Sequence, residues 1–554
     1  MKKGMLMMLF ALFSQITFSQ DKLVDILKTE VNRNFTILKD GPVPAYYVSY
    51  RVQDVQTHQI VASFGKLLFN SNPRHQRLFK VDVRVGDYEM DNTREIKGGN
   101  KPTDYSDNQL VLENNPVAIQ KALWQNTDKV YKDAVNQFEN VKANVAVKVA
   151  SEDKSGDFSK EGAEKYVEQI IPLKDFKFDA SEWEKKLKTY SDVFSKNKDV
   201  LSNTVNLNFE LIRKYFVDTE GREIVENAYA YRLQINVSTT AEDGMSLPLF
   251  LSYFAKEVKD LPSDAQILKE AKEMSEKISA LRKAPVAESY SGPALMTAEA
   301  AGVFFHEIFG HRIEGARLKQ ESDAQTFKKK VGELVLPSDI SIIFDPKLLK
   351  YKNIPLNGSY TFDDEGIRGQ RVEIVKDGIL KTFLKSRTPI DGLPHSNGHG
   401  RATINFNNVT RQSNMIIESN APKSEAELRK MLIEQAKKEN RTYGYLFDKV
   451  SGGFTTTGRY MPNAFNVAPL IVYRVYVDGR PDELVRGVDL LGTPLSIFSQ
   501  VVACGKDHGV FNGACGAESG SIPVSCVSPT LFIKMIETQK KSKSQSQPPI
   551  LERP

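Results

Sequence analysis

Residues 292–315, GPALMTAEAAGVFFHEIFGHRIEG, carry the strongest structural signal of the chain. A short apolar segment leads into Thr297, which we expect to be an N-cap, and Glu299 follows in the first turn, where the helix dipole favours a carboxylate. The next residues, 300–305, are apolar nearly all round the helix, which indicates burial. The stretch therefore predicts a strand that runs into a buried helix.

Three polar residues, His306, Glu307 and His311, interrupt this apolar helix. Such groups are costly to bury unless they are paired or bound to a metal. Two imidazoles around a glutamate resemble the zinc-protease helix, in which the glutamate is a general base. A five-residue spacing, however, turns the imidazoles about 140° apart on a regular helix, so they converge only if the helix widens or ends near Gly310. The pattern fits either a metal site or two hydrogen-bonded histidines at a helix end.

The preceding part of the chain predicts an α+β domain. Helical spacing of apolar residues predicts amphipathic helices at 21–35 and 261–282. Alternating patterns predict strands at 46–52, 58–69 and 78–85, and residues 218–221 predict a hairpin turn. Glycines become frequent after residue 285, and all three cysteines lie beyond it. We therefore predict an N-terminal and middle region of helices and antiparallel sheet (21–285), a C-terminal mixed α/β domain (286–539) and a polar, disordered tail (540–554).

The first twenty residues predict a cleavable signal peptide. Lys2 and Lys3 precede an apolar run that is too short to span a membrane, and small residues follow near Ser19. No later segment reaches the roughly 18 consecutive apolar residues of a spanning helix. We expect the mature protein to be periplasmic or secreted.

The composition excludes several classes of protein. Lys and Arg total 75 against 70 Asp and Glu, a net charge of +5 that gives no reason to expect a nucleic-acid partner. Three cysteines in 554 residues do not form a disulfide-built scaffold.

The helix and the motifs around it resemble the TldD/PmbA family, specifically its TldD branch. The Gly-Pro segment, the alanine-rich helix and HExxxH appear in order, and further similar segments lie at residues 363–366, 375–380, 397–401, 457–458, 472–478 and in the C-terminal Cys-Gly region. The resemblance implies a zinc metallopeptidase with two histidines and one cysteine as ligands. It also implies a dimer, either with a second copy or with a PmbA-type chain.

The resemblance leaves a choice of cysteine. Cys515 precedes Pro-Val and Pro-Thr-Leu as the family ligand does, and is the expected ligand beside His306 and His311. Cys504 opens a similar Cys-Gly segment and is the alternative. A disulfide between Cys504 and Cys526 would leave Cys515 free, but two buried reduced cysteines fit equally well.

Other polar residues have weaker signals. His395 and His399 are expected to be solvated loop residues rather than ligands, with substrate contact near residues 397–401 implied by the resemblance. Asp363, Asp364 or Glu314 are candidates to orient the metal-binding histidines, as such residues generally need an acceptor.

The sequence thus predicts an exported Zn²⁺ metallopeptidase that cleaves peptides or unfolded segments, with Glu307 accepting a proton from a metal-activated water. The alternative is a non-catalytic PmbA-like partner or a peptide-binding module with a structural metal.

Overall fold

The structure is a computed structural model that describes residues 21–96, 105–147, 153–171, 178–323, 325–459, 464–541 and 551. The fold is α+β, with a large antiparallel sheet in the N-terminal part and two sheets in the C-terminal part. The helices are α1 (Lys22–Leu38), α2 (Pro116–Val147), α3 (Ala180–Asp192), α4 (Asp264–Lys283), α5 (Ala298–Ile308), α6 (Ala316–Lys319), α7 (Glu425–Lys438) and α8 (Pro494–Phe498).

The N-terminal sheet has eight strands, and its central path runs β4-β3-β1-β6-β7-β5, with β2 on β1 and β8 on β7. The strands are β1 (Ala45–Ser63), β2 (Lys66–Asn70), β3 (Arg74–Val85), β4 (Asn108–Leu110), β5 (Lys165–Val167), β6 (Ser202–Asp218), β7 (Glu223–Thr240) and β8 (Ser246–Ala255). Alternating residues of β6 are buried, as period-two strands require. Helices α1 and α2 share a core with one set of sheet residues, and α3 and α4 share a core with another.

The C-terminal part contains a six-stranded sheet, β14-β13-β10-β17-β24-β23, and a seven-stranded sheet, β18-β9-β25-β21-β19-β20 with β22 on β25. Because β18 also pairs with β19, five strands of the second sheet close on themselves. The strands are β9 (Tyr290–Met296), β10 (Ile340–Phe344), β11 (Lys350–Tyr351), β12 (Ile354–Pro355), β13 (Val372–Lys376), β14 (Ile379–Leu380), β15 (Gly400–Arg401), β16 (Val409–Thr410), β17 (Asn414–Ser419), β18 (Tyr443–Thr455), β19 (Phe465–Tyr476), β20 (Glu483–Val485), β21 (Val488–Gly492), β22 (Val501–Cys504), β23 (Gly509–Ala517), β24 (Gly520–Ser528) and β25 (Leu531–Lys540).

Helix α5 lies between the two C-terminal sheets. It packs against β18 and β19 on one side and β23 and β24 on the other. Its phenylalanines, Phe304 and Phe305, are fully buried in the largest core of the molecule. This enclosure explains why residues 300–305 are apolar all round the helix, whereas Glu299 in the first turn is exposed.

Most predicted elements are present. The helix expected at 21–35 is α1, that at 261–282 is α4, and the turn at 218–221 joins β6 to β7. The segments 46–52 and 58–69 are not separate strands, however, because β1 continues unbroken to Ser63, paired along its length with β6. Thr297 is at the N-cap, but its hydroxyl donates to the Asp448 carbonyl rather than capping the helix.

The predicted signal peptide (1–20) and all of the predicted tail (540–554) except residues 540, 541 and 551 lie outside the described residues. Within the part of the chain that is described, each helix is too short or too polar to cross a bilayer.

Candidate metal centre

The end of α5 brings the two histidines together. The helix ends at Ile308, Phe309 leaves the helical conformation at φ −120° and ψ −51°, and a 3-10 turn follows over Gly310–Arg312. The rings of His306 and His311 consequently lie 4.9 Å apart between centroids. A Cβ at position 310 would lie 2.0 Å from Oε1 of Gln412, so the turn needs glycine there.

A distant hairpin supplies the third donor. Cys515 lies in β23, opposite Ile522 of β24, and its Sγ is 3.3 Å from Nε2 of His311. The donor atoms of His306, His311 and Cys515 all lie within 4.8 Å of one another. The three residues are 4–7% exposed, so the cluster is buried but still reaches solvent.

The charges within this cluster suit a cation. Burial alone would raise the pKa of Cys515, but the neighbouring His306 and His311 hold it well below its usual value, which favours the thiolate form. Burial lowers the pKa of His311, but the negative charges of Cys515 and Glu314 outweigh it and bring that pKa to about 10. A thiolate and two imidazoles within reach of one point are a donor set that zinc prefers.

Glu307 borders the cluster without joining the donor group. Its Oε2 is buried and has no hydrogen-bond partner among the residues that the structure describes. Burial raises the pKa of Glu307, while the nearby histidines oppose that rise. Gly453 of β18 lies directly against it, since a Cβ on that glycine would be 2.7 Å from Cγ of Glu307. A buried carboxylate with a free oxygen and a raised pKa is suited to proton transfer.

Arg312 fixes the end of α5, a role that the sequence did not reveal. Its Nη1 donates to the carbonyl of Glu307 at 2.8 Å, and its Nη2 donates to the carbonyl of Thr456 at 3.2 Å. Terminal helix carbonyls lack partners within the helix, and a cation satisfies them well. The side chain thereby ties the turn that carries His311 to the end of β18.

Of the three candidates to orient a histidine, Glu314 is the one beside the cluster. Its Oε2 is 3.3 Å from Nδ1 of His311, and it also accepts from Nε of Arg317 at 2.8 Å. Asp363 instead accepts backbone N–H groups, including that of Gly400, and Asp364 accepts from the backbone of Ala402. Neither Arg317 nor Arg411 was recognisable from sequence patterns. Nη2 of Arg411 donates to the carbonyl of Cys515 at 2.6 Å.

The histidines of the glycine-rich segment differ from each other. The side chain of His395 is 70% exposed, as expected for a loop residue. The expectation that His399 is solvated is wrong, because it is fully buried between Asn397 and Ser413, and burial lowers its pKa to about 3. Arg401 is also buried, and it donates to the carbonyls of Gln412 and Pro523.

The other two cysteines lie away from the histidines. Cys504 ends β22 and Cys526 lies in β24, and both are buried free thiols, so the structure contains no Cys504–Cys526 disulfide. Burial raises the pKa of Cys504 to about 12 and that of Cys526 further. Neither is poised to be a thiolate ligand.

Two imidazoles and a cysteine sulfur around one point, next to a buried glutamate, are residue types that could bind a metal ion and transfer a proton beside it. The family model described as the PmbA/TldA metallopeptidase C-terminal domain matches residues 289–540. The C-terminal part of the chain therefore matches the TldD/PmbA family.

Relatives with curated names agree with this assignment. A metalloprotease of Archaeoglobus fulgidus is 32% identical over 242 residues, which are 43% of this chain and 51% of that protein. A metalloprotease of Methanocaldococcus jannaschii is 27% identical over 65% of this chain and 78% of its own length. A zinc metalloprotease TldD homolog of Saccharolobus solfataricus is 23% identical over 63% and 74%. The match thus spans about half of the Archaeoglobus relative and about three quarters of the other two.

Solved structures share the fold over almost the whole chain. TldE from Thermococcus kodakarensis superposes with a TM-score of 0.60, covering 94% of this chain and 100% of that one at 14% identity. A Thermotoga maritima protein gives 0.58, covering 92% and 99% at 18% identity. The similarity to these two structures therefore includes the N-terminal sheet, which the family model does not cover.

Proposed function

We propose that this protein is an exported zinc metallopeptidase that hydrolyses peptides or unfolded protein segments. The observation that carries the proposal is the grouping of His306, His311 and Cys515 donor atoms within 4.8 Å, next to the unpartnered Oε2 of Glu307. A site that only held a structural metal would have no use for a buried, unpaired carboxylate at its side.

The proposed roles follow from the residue types. His306, His311 and Cys515 would hold the zinc, which when bound lowers the pKa of water and polarises a carbonyl oxygen. Glu307 takes the proton from the attacking water and then donates it to the leaving amine. Its raised pKa suits both steps, because the protonated form must persist until the amine departs.

The edge of β18 beside Glu307 offers a place for the substrate main chain. Strand β9 pairs with one edge of β18 only as far as Phe447, whereas β19 pairs with the other edge of β18 as far as Thr455. The N–H of Thr456 donates to the carbonyl of Ala464 across that pair. Hydrogen-bonded and non-hydrogen-bonded positions alternate along an antiparallel pair, so the N–H and C=O groups of Gly453 and Thr455 point away from β19. An extended peptide could pair with them as an added strand, which favours unfolded substrates.

Export and dimerisation are further parts of the proposal. Export rests on the charged and apolar pattern of residues 1–20, and a dimer with a second copy or a PmbA-type chain rests on the family resemblance. Cell fractionation with N-terminal sequencing would test export, since a mature chain that retains residues 1–20 contradicts it. Light scattering of the purified protein would test whether it dimerises alone.

The central experiment compares wild type with Glu307→Gln for zinc content and for cleavage of a chemically unfolded protein. We expect both proteins to bind zinc, and the variant to lose roughly 10²–10⁴-fold in cleavage rate, because the proton acceptor is gone. Undiminished cleavage by Glu307→Gln would show that the base is wrong. A wild type that binds zinc but cleaves nothing would instead favour the non-catalytic partner or binding module.

A further inference from the structure

We propose that Glu314 is a positioning residue that holds His311 in one tautomer and, through Arg411, links it to the hairpin that carries Cys515. This inference rests on the proposed zinc site, but it concerns how the protein preforms that site.

The two ring nitrogens of His311 face different partners. Nε2 lies 3.3 Å from Sγ of Cys515, and Nδ1 lies 3.3 Å from Oε2 of Glu314. A carboxylate can only accept, so Nδ1 carries the proton in this contact, and a ring that loses its other proton to bind a metal loses it from Nε2. Glu314 therefore selects the tautomer that presents a donor atom toward Cys515.

Glu314 is itself held on two sides. It is completely buried, and a lone buried carboxylate would be strongly unfavourable. Nε of Arg317 donates to its Oε2 at 2.8 Å, and Nε of Arg411 lies 3.5 Å from its Oε1. These two arginines place positive charge on both sides of the buried carboxylate.

Arg411 extends this support to the cysteine. Besides facing Glu314, its guanidinium donates to the carbonyl of Cys515 at 2.6 Å, to Oγ of Ser519 at 2.7 Å and to the carbonyl of Gly520 at 3.1 Å. These three acceptors belong to the β23–β24 hairpin. Arg411, which is fully buried, thus connects Glu314, the acceptor for His311, to the hairpin that carries Cys515.

The test compares the zinc affinity of Glu314→Gln and Glu518→Gln. Both residues bind Arg317, but Glu518 contacts it at 2.9 Å from a partly exposed turn and does not face His311. Zinc dissociation constants are measured by competition with a chromophoric chelator, on protein shown to be folded by circular dichroism. We expect a 10–100-fold weaker affinity for Glu314→Gln and a change below threefold for Glu518→Gln. Equal affinities of folded Glu314→Gln and wild type would overturn the proposal.

A second measurement needs no substitution at Glu314 and decides the matter if that variant fails to fold. Nitrogen chemical shifts of ¹⁵N-histidine-labelled, zinc-loaded wild type report which nitrogen of His311 carries the proton, with the signal assigned by its loss in His311→Gln. We expect the proton on Nδ1 and zinc on Nε2; zinc on Nδ1 would refute the role of Glu314. A wild type that binds no zinc would refute the proposed function itself, which is a different outcome.

Discussion

The imidazole rings of His306 and His311 lie 4.9 Å apart with their planes at 75°, although five residues separate them in sequence. A continuous α-helix would turn them about 140° apart. The end of α5 at Ile308 and the 3-10 turn over Gly310–Arg312 remove that separation. The spacing therefore depends on a break in the helix, and Gly310 leaves room for the buried side chain of Gln412 at that break.

We expect Gly310→Ala to destabilise the protein by about 1–3 kcal/mol, a typical cost of overpacking a buried site. The added methyl would overlap the side chain of Gln412, which is only 1% exposed and has little room to move. The double variant with Gln412→Ala should recover part of the loss. Thermal unfolding of the single and double variants provides the measurement, and identical melting temperatures for Gly310→Ala and wild type would contradict the expectation.

Substitutions of Cys515 and Cys504 should differ sharply in their effect on zinc content. Cys515→Ser removes the thiolate beside His311, and we expect zinc content to fall from about one per chain to near zero after gel filtration. Cys504→Ser is the matched control, since Cys504 is also buried but lies in β22. Atomic absorption gives the zinc content. Zinc lost from the Cys504 variant and kept by the Cys515 variant would reverse the assignment.

Gly453→Ala should impair hydrolysis more than zinc binding. Its methyl would sit 2.7 Å from Cγ of Glu307, and displacing a catalytic group by about 1 Å can cost about 10²-fold in rate. Gly458→Ala, in the segment that follows β18, is the control, because its Cβ would come no closer than 4.0 Å to Ser322. The comparison uses kcat/KM on an unfolded substrate with zinc content measured in parallel. Equal values for the two variants would argue against close contact at Gly453.

Burial of neutral His399 should make stability depend on pH. Its pKa is about 3 in the folded protein against 6.5 ordinarily, so between these values the unfolded chain binds a proton that the folded chain does not. Stability therefore falls as the pH decreases through this window, by up to roughly 1.4 kcal/mol per pH unit from this residue. We expect His399→Gln to have a shallower slope between pH 6.5 and 5.

The control for that slope is His395→Gln, because the side chain of His395 is 70% exposed. Denaturant unfolding at a series of pH values gives each slope. If the slopes of wild type, His399→Gln and His395→Gln coincide, the buried ring does not resist protonation as inferred.

Local patterns in the sequence predicted much of the fold. The apolar spacing of α1 and α4 and the Asp-Thr-Glu-Gly turn between β6 and β7 are set by residues close together in the chain, so they could be recognised without tertiary information. The full length of β1 could not, because its continuation across Val52 and His58 is supported by pairing with β6, more than a hundred residues later.

In the candidate site, too, some features could be predicted from local sequence and others could not. The buried helix and its three polar residues are a local signal. The partners of Glu314 are not, because Arg411 lies about a hundred residues away and reaches it only after the C-terminal sheets have formed. The burial of His399 was missed for a related reason. Its loop contains glycine and polar residues typical of a surface, yet Asn397 and Ser413 satisfy both ring nitrogens inside the protein.

The donors of the candidate centre come from two segments that lie 204 residues apart, the turn with His311 and the hairpin with Cys515. A nascent chain that has emerged only as far as α5 therefore has the histidines and the glutamate but not the sulfur. Assembly of the centre has to wait for the last strands to be synthesised and folded. On the proposed function, the unfinished polypeptide would hold no working peptidase among its own unfolded segments during translation.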